Sequence, residues 1–204
     1  MEITVVKDAI HAFSSALEVP AIIVLIAMVV LTVYQLGSAI VEYFMERAGK
    51  RLDVTRALDA IAGLSRAETL AALRKLPFLK SQQQAFARLL ENREMPVEEQ
   101  RIFAGQLLAD EEARLERRVH VTDVIARIAP MFGLMATLIP LGPGLIALGQ
   151  GDTKQLADSL LTAFDATVAG LCAAGVAFVI SKVRKRWYQG DLTAMETILE
   201  GVIE

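Results

Sequence analysis

The stretch that decides the fold is SLLTAFDATVAGLCAAGVAFVIS, residues 159–181. Asp165 is its one charged residue. At a rise of roughly 1.5 Å per residue, a helix of about 23 residues crosses a hydrocarbon core of about 30 Å. Two further apolar stretches of similar length occupy Val19–Val41 and Ile128–Gly151. The sequence therefore predicts three transmembrane helices.

The composition supports a membrane protein and excludes other classes. Hydrophobic residues make up 54% of the 204 positions, more than an ordinary soluble domain carries. The first apolar stretch begins late, at Val19, and is too long for a signal peptide, so it is predicted to be retained. A net charge of −3, with basic residues dispersed among acids, argues against nucleic acid. The single cysteine, Cys172, allows no intrachain disulfide, and no metal or cofactor is predicted.

The distribution of basic residues predicts the orientation in the membrane. Of the 21 Lys and Arg residues, 15 lie between Met45 and Arg127, and four lie between Lys182 and the end of the chain. Basic residues near the ends of spans favour the cytoplasmic side. The long loop and the C-terminus are therefore predicted to be cytoplasmic, and the N-terminus outside. The second and third spans then form a hairpin with a short outer turn near residues 149–152.

These patterns predict an all-α integral membrane protein of the cytoplasmic (inner) membrane. Its segments are an outer-surface amphipathic helix at 1–17, transmembrane helices at 18–44, 128–150 and 156–181, a cytoplasmic helical domain at 45–127, and a cytoplasmic amphipathic tail at 182–204. Helix breaks are expected around Pro77 and between Asn92 and Pro96. Because no proline lies between Pro96 and Pro130, one long helix is expected to run into the second span.

The residues after the third span have two predicted roles. Basic and amphipathic aromatic side chains at the end of a span anchor it at the lipid interface. The predicted anchors are Lys182, Arg184, Lys185, Arg186 and Trp187. Further on, Leu192, Met195, Leu199 and Val202 recur at helical spacing and make an apolar face that is a candidate contact with the tail of a neighbouring subunit.

The second and third spans both carry stripes of small residues beside a threonine. Pro130, Gly133 and Pro140 share a face with Thr137, and Ala163, Gly170 and Ala174 flank Thr167. Small residues let helices approach closely in lipid. The residues alone leave two interpretations open. Either the helices merely pack, with Thr167 bonded to its own carbonyl four residues earlier, or the hydroxyls belong to an ion path.

Three motifs together resemble the MotA/TolQ/ExbB proton channel family. They are Pro130-x-x-Gly133-Leu134-x-x-Thr137, Ala166-Thr167-x-x-Gly170-Leu171, and Glu112-x-x-Leu115-Glu116-Arg117-Arg118 on the preceding helix. The resemblance implies a homo-oligomer, a pentamer, around single-span helices of a partner similar to ExbD, TolR or MotB. It also implies that Thr137 and Thr167 line the pore and face the partner's membrane aspartate.

Two positions depart from the family pattern. Ala136 replaces a glycine that often precedes the second-span threonine, and Thr162 stands where members often carry a glutamate. An acidic residue appears instead at Asp165, about 300° around the helix from Thr162 and hence on a nearby face. We predict that Asp165, with Thr162 beside it, supplies this carboxylate near the outer third of the span.

The predicted function is that of a pore-forming subunit of an ion-driven membrane motor, similar to ExbB and TolQ, which couples ion flow to movement of a partner complex. Three alternatives remain at this point: a non-conducting oligomeric scaffold, a subunit of the flagellar-stator type similar to MotA, and a sodium-driven version. The sequence does not predict an enzyme. It has no phosphate-binding glycine loop, and its two histidines, His11 and His120, are predicted on opposite sides of the membrane.

Overall fold

The computed structural model describes residues 2–44, 66–76, 78–92 and 94–203. In these ranges the regular elements are α1 (Glu2–Ala16), α2 (Glu18–Glu42), α3 (Arg66–Lys75), α4 (Lys80–Glu91), α5 (Val97–Gly149) and α6 (Thr153–Ile203). Three helical segments are long and apolar enough to span a membrane: Val5–Glu42, α5 and α6. The predicted all-α membrane fold is confirmed. Residues 45–65 of the predicted cytoplasmic domain lie outside the described residues.

Helix α5 is one helix of 53 residues, as the run without proline from Pro96 to Pro130 predicts. It contains Pro130, Pro140 and Pro143. Because proline has no backbone N–H, each of these leaves the carbonyl four residues earlier without its helical donor. The apolar half of α5 therefore exposes backbone acceptors that an unbroken ladder would occupy.

The turn between α5 and α6 lies at the predicted residues. Gly151 adopts φ +84°, a left-handed conformation that glycine takes without a steric penalty. The Gly151 N–H donates to the Leu148 carbonyl, and the Asp152 N–H donates to the Ala147 carbonyl. Asp152 Oδ1 then accepts the backbone N–H of Gln155 at 3.0 Å, which caps the first turn of α6.

The chain divides into two compact units, and the first comprises Met1–Gly37 and Val121–Ser181. Its core is built from small residues. Buried Ala129 of α5 meets buried Ala173 and Ala177 of α6, with Met28 and Val29 of α2 packed against them. The predicted apolar side of α1 is exposed at Ile10 and Phe13. Its position on the membrane surface stays a prediction.

The second unit comprises Ser38–His120 and Lys182–Glu204 and has a core of large side chains. Phe86 and Leu89 of α4 pack with Met195 and Ile198 of α6. The tail is helical as predicted, but it continues α6 without a break to Ile203. Its apolar face, offered in the sequence as a contact with a neighbouring subunit, is buried within the chain, because the shorter helices supply an apolar partner for it.

Candidate functional site in the helix hairpin

Helices α5 and α6 approach so closely that two positions have room only for glycine. A Cβ on Gly170 would lie 2.9 Å from the Ala129 carbonyl oxygen and 3.0 Å from Gly133 Cα. A Cβ on Gly133 would lie 3.3 Å from the carbonyl oxygen of Ala166. Such backbone proximity maximises van der Waals contact, the main attraction between helices in lipid. We call this contact between α5 and α6 the seam.

The predicted packing residues lie at the seam or beside it. Buried in the structure are Gly133, Pro140, Ala163, Gly170 and Ala174, and Pro130 is half-buried. Ala136, which replaces the glycine frequent in the family, is also buried. Its methyl group is accommodated in the hairpin, so this departure does not keep the helices apart.

The seam brings Thr137 and Thr167 into direct contact. Thr137 Oγ1 lies 2.8 Å from the Gly133 carbonyl oxygen and 3.4 Å from that of Ala163. The two hydroxyl oxygens are hydrogen-bonded to each other. Since a hydroxyl has one proton, Thr137 donates to Gly133 and accepts from Thr167. The bond to a carbonyl four residues earlier, considered for Thr167 in the sequence, is thus made by Thr137.

This arrangement forms a short chain of hydroxyls ending on a backbone carbonyl. Both threonine side chains are half-buried, so the pair is reachable from one side of the seam. A hydroxyl donates to an ionised carboxylate and accepts from a protonated one, without itself carrying charge. The pair can therefore interact with a carboxyl group in either protonation state.

The other two predicted pathway residues lie on a different face of α6. Asp165 and Thr162 are exposed, and Thr162 Oγ1 donates to the Asp158 carbonyl at 3.0 Å. Two residues separate Asp165 from Thr167, which is about 200° around the helix. Cys172 is exposed as well, seven residues and hence about two turns beyond Asp165. Within one chain, the structure unites the threonines and separates Asp165 and Thr162 from them.

A family model described as the MotA/TolQ/ExbB proton channel family matches residues 74–197. The match covers more than half of the chain, and it includes both threonines and the whole hairpin. The chain belongs to this family. A comparison with curated proteins finds no significant match. The match is wider than the resemblance carried by the three motifs, because it extends over most of the second unit.

Members of the MotA/TolQ/ExbB family are subunits of proton-channel-type motors that work with a single-span partner in a membrane complex. The chain is accordingly a multi-pass membrane protein of this kind. Among the described residues, no group of three or more His, Cys, Asp or Glu side chains is arranged to hold a metal ion. The polar groups of the hairpin are therefore hydroxyls, carboxylates and backbone carbonyls.

A second polar pair in this family member was missed in the sequence. Ser181 donates its hydroxyl to Asp123 Oδ1, and Arg127 Nη2 lies 3.7 Å from Asp123 Oδ2. Asp123 stands in a charged stretch of α5 and Ser181 at the end of an apolar run, so neither is conspicuous alone. Their spacing from the threonines is the signal that would have revealed them, because each lies 14 residues from one of the two.

One predicted interface anchor is placed inside the protein. The Arg184 side chain is 5% exposed; its Nε donates to Glu42 Oε2 at 3.2 Å and its Nη2 to Ser38 Oγ at 3.0 Å. The guanidinium faces these groups because Glu42, 8% exposed, needs a buried counter-charge. Tyr188 lies beside them. Burial, followed by the negative charge of Glu42, raises the pKa of Tyr188 to about 12.

The remaining predicted anchors have the exposure that an interface role requires. Lys182, Lys185 and Arg186 are exposed, and Trp187 is half-buried. The Trp187 ring stacks on that of Tyr43, with 6.0 Å between centroids. Contact of these side chains with lipid headgroups stays a prediction.

Proposed function

We propose that this chain is the pore-forming subunit of a proton-driven motor of the ExbB/TolQ branch, which uses ion flow to move a partner complex. The observation that supports the proposal most directly is the hydroxyl pair of Thr137 and Thr167 in the close-packed seam of a family member. Five copies would surround the single-span helices of a partner similar to ExbD or TolR. The assembly would lie in the inner membrane, with the N-terminus outside and the C-terminus in the cytoplasm.

The threonine pair would stabilise the partner's aspartate through its proton cycle. An ionised carboxylate at bilayer depth is costly unless donors surround it. Thr167 can turn its proton from Thr137 to an ionised partner carboxylate and accept the proton of a neutral one. The bond between Thr137 and the Gly133 carbonyl holds the pair in place while this exchange occurs. The threonines therefore lower the barrier to proton passage without titrating.

Asp165 would join the pathway through the assembly. Its exposed position, about 200° around α6 from Thr167, places it away from the seam of its own chain. A carboxyl group at this depth needs protein or water around it, because lipid does not solvate it. In the assembly, Asp165 and Thr162 would meet the partner or a second copy of the chain.

The central experiment measures proton flux through the complex that this chain forms with its copurified single-span partner. Liposomes loaded with a pH-sensitive dye are driven by a potassium diffusion potential. We expect Thr137→Val and Thr167→Val to lower the flux about tenfold, because one stabilising hydrogen bond of about 1.4 kcal/mol is lost along the path. Thr167→Ser retains the hydroxyl and should conduct as the parent does.

Thr193→Val is the matched control. Thr193 lies on the same helix and makes the same kind of bond, to the Gln189 carbonyl at 3.0 Å, but it is exposed in the tail. It should leave the flux unchanged. Parental flux in both seam variants would refute the role of the threonines. An assembled parent complex that conducts nothing would favour the scaffold alternative, and conduction of Na⁺ alone would favour the sodium-driven one.

A deletion strain separates the two branches of the family. The ExbB/TolQ proposal predicts normal swimming together with impaired envelope-linked growth, because force is delivered to a partner in the cell envelope. Loss of motility with normal growth would instead favour a flagellar stator subunit. Copurification tests the assembly itself, since recovery of monomers alone in mild detergent would contradict a pore formed by several copies.

A further inference from the structure

The pair of Asp123 and Ser181 lies on the same side of the helix hairpin as the threonine pair. Asp123 precedes Thr137 by 14 residues, and Ser181 follows Thr167 by 14 residues. Fourteen residues make nearly four turns, so each residue returns to within about 40° of the face of its threonine. Both pairs join α5 to α6 within the first unit, about 21 Å apart along the helices.

The environment of Asp123 combines burial with access to water. Ser181, its hydroxyl donor, is 1% exposed. The Asp123 side chain is 26% exposed, and its neighbour Arg127 is 79% exposed. An ion pair with so exposed an arginine is weak and screened by salt. The carboxylate is thus held on one side by a buried hydroxyl and open on the other side to solvent.

The backbone between the two pairs offers a further acceptor. Pro130 has no N–H to donate to the carbonyl of Ala126, and both residues lie within about 20° of the face of Thr137. A carbonyl freed in this way accepts hydrogen bonds from water, as buried carbonyls commonly do. Hydroxyls, a freed carbonyl and a carboxylate therefore follow one another from the middle of the hairpin to the end opposite its turn.

We propose that Asp123 is the proton-exchanging carboxylate at the cytoplasmic end of the ion path, and that Ser181 positions it. An oxygen of the ionised carboxylate takes a proton from protonated water in the seam, forming an O–H bond and leaving neutral water. The carboxyl group then releases a proton to a cytoplasmic water molecule and returns to its ionised state. This inference rests on the proposed function, since it assumes that protons reach the seam from the threonine pair.

The test uses variants that separate titration from structure. Asp123→Asn keeps an oxygen that can accept the Ser181 hydroxyl but removes the titrating group. In liposomes with the copurified complex, we expect it to lower proton flux about a hundredfold, as loss of a general acid–base group typically does. Asp123→Glu should conduct within about threefold of the parent, because it retains a carboxylate of similar acidity. Glu116→Gln, an exposed carboxylate on the same helix, is the control and should have no effect.

The pH profile distinguishes a proton carrier from a purely structural contact. Flux through the parent should follow one protonation step when pH is varied on the cytoplasmic side, and Asp123→Asn should flatten that step. Ser181→Ala should move its midpoint to higher pH, because the ionised carboxylate loses a donor. Should Asp123→Asn fail to assemble, Asp123→Glu decides: a displaced midpoint supports the inference, and an unchanged profile refutes it.

The outcomes keep this inference apart from the proposed function. If Thr167→Val abolishes flux while Asp123→Asn conducts with the parental pH profile, Asp123 has no part in the path and the motor proposal stands. If the assembled parent complex conducts no protons, the motor proposal fails and the role of Asp123 fails with it. Flux that falls in both Thr167→Val and Asp123→Asn, but not in Glu116→Gln, supports both.

Discussion

The seam of the first unit and the core of the second hold their helices together in different ways. At the seam, Gly133 and Gly170 bring backbone atoms to within van der Waals distance, and the polar contact is a pair of hydroxyls. In the second unit, large side chains such as Phe86, Leu89 and Met195 fill the space between helices. One chain thus uses the smallest side chains in one region and some of the largest in the other.

The surrounding solvent explains this difference. In water, burial of apolar surface contributes about 25 cal/mol per Å², so large side chains stabilise a core most. In lipid this term largely vanishes between helices, and close packing and hydrogen bonds remain. A hairpin held by small residues also leaves room beside it for polar groups. We infer that the seam is built for passage and the second core for stability.

The largest expected effect comes from truncating the second core. Phe86 is almost fully buried and packs edge to face on Phe78, with 5.0 Å between ring centroids. Phe86→Ala should lower the free energy of unfolding by about 3–5 kcal/mol, because it leaves a cavity. Chemical denaturation in detergent measures this, with the exposed Ile102→Ala as control. Equal effects of the two variants would contradict a core in this region.

Gly170→Ala tests the seam with the smallest possible side chain. The new methyl group would meet the Ala129 carbonyl at 2.9 Å, so we expect a loss of about 1–3 kcal/mol from overpacking. Gly175→Ala is the matched control, because its Cβ would meet nothing within 4 Å. That control should be neutral, or more stable by up to about 1 kcal/mol through helix propensity. Thermal unfolding of both variants would show whether the seam is as tight as the structure indicates.

Thr137→Val separates stability from conduction. Its side chain retains the shape of threonine and loses the hydroxyl contacts to Thr167 and to the Gly133 carbonyl. The stability loss should be about 0.5–1.5 kcal/mol, the net contribution of a hydrogen bond. The same variant should lose most of its flux. A variant that unfolds markedly but conducts normally would assign Thr137 to packing alone.

The smallest effect concerns Tyr188 in the second unit. Its pKa is raised from 10.0 to about 12 in the folded state, chiefly by burial. Between those two pH values the unfolded chain releases the phenolic proton first, so stability is intact below pH 10 and falls as the pH rises towards 12. The difference in ultraviolet absorbance between the parent and Tyr188→Phe should therefore show a titration near pH 12. A titration near pH 10 would contradict burial of this side chain.

Much of the hairpin was predictable because the signals are local. Length and apolarity predict the spans, glycines and Asp152 predict the turn, and the motifs around Thr137 and Thr167 identify the family. The contact of Asp123 with Ser181 was not predictable, since it joins residues 58 positions apart that follow no local pattern. The burial of Arg184 likewise depends on Glu42, which lies on another helix.

The exposure of Cys172 has a consequence for measuring the assembly. As the single thiol in the chain, it accepts a spin label without prior removal of other cysteines. It shares a face of α6 with Asp165, so the label would sit where the ring of copies is proposed to close. A symmetric ring of five gives two label separations in a ratio of about 1.6, whereas a two-fold dimer gives a single separation. One native atom can thus report the number of copies.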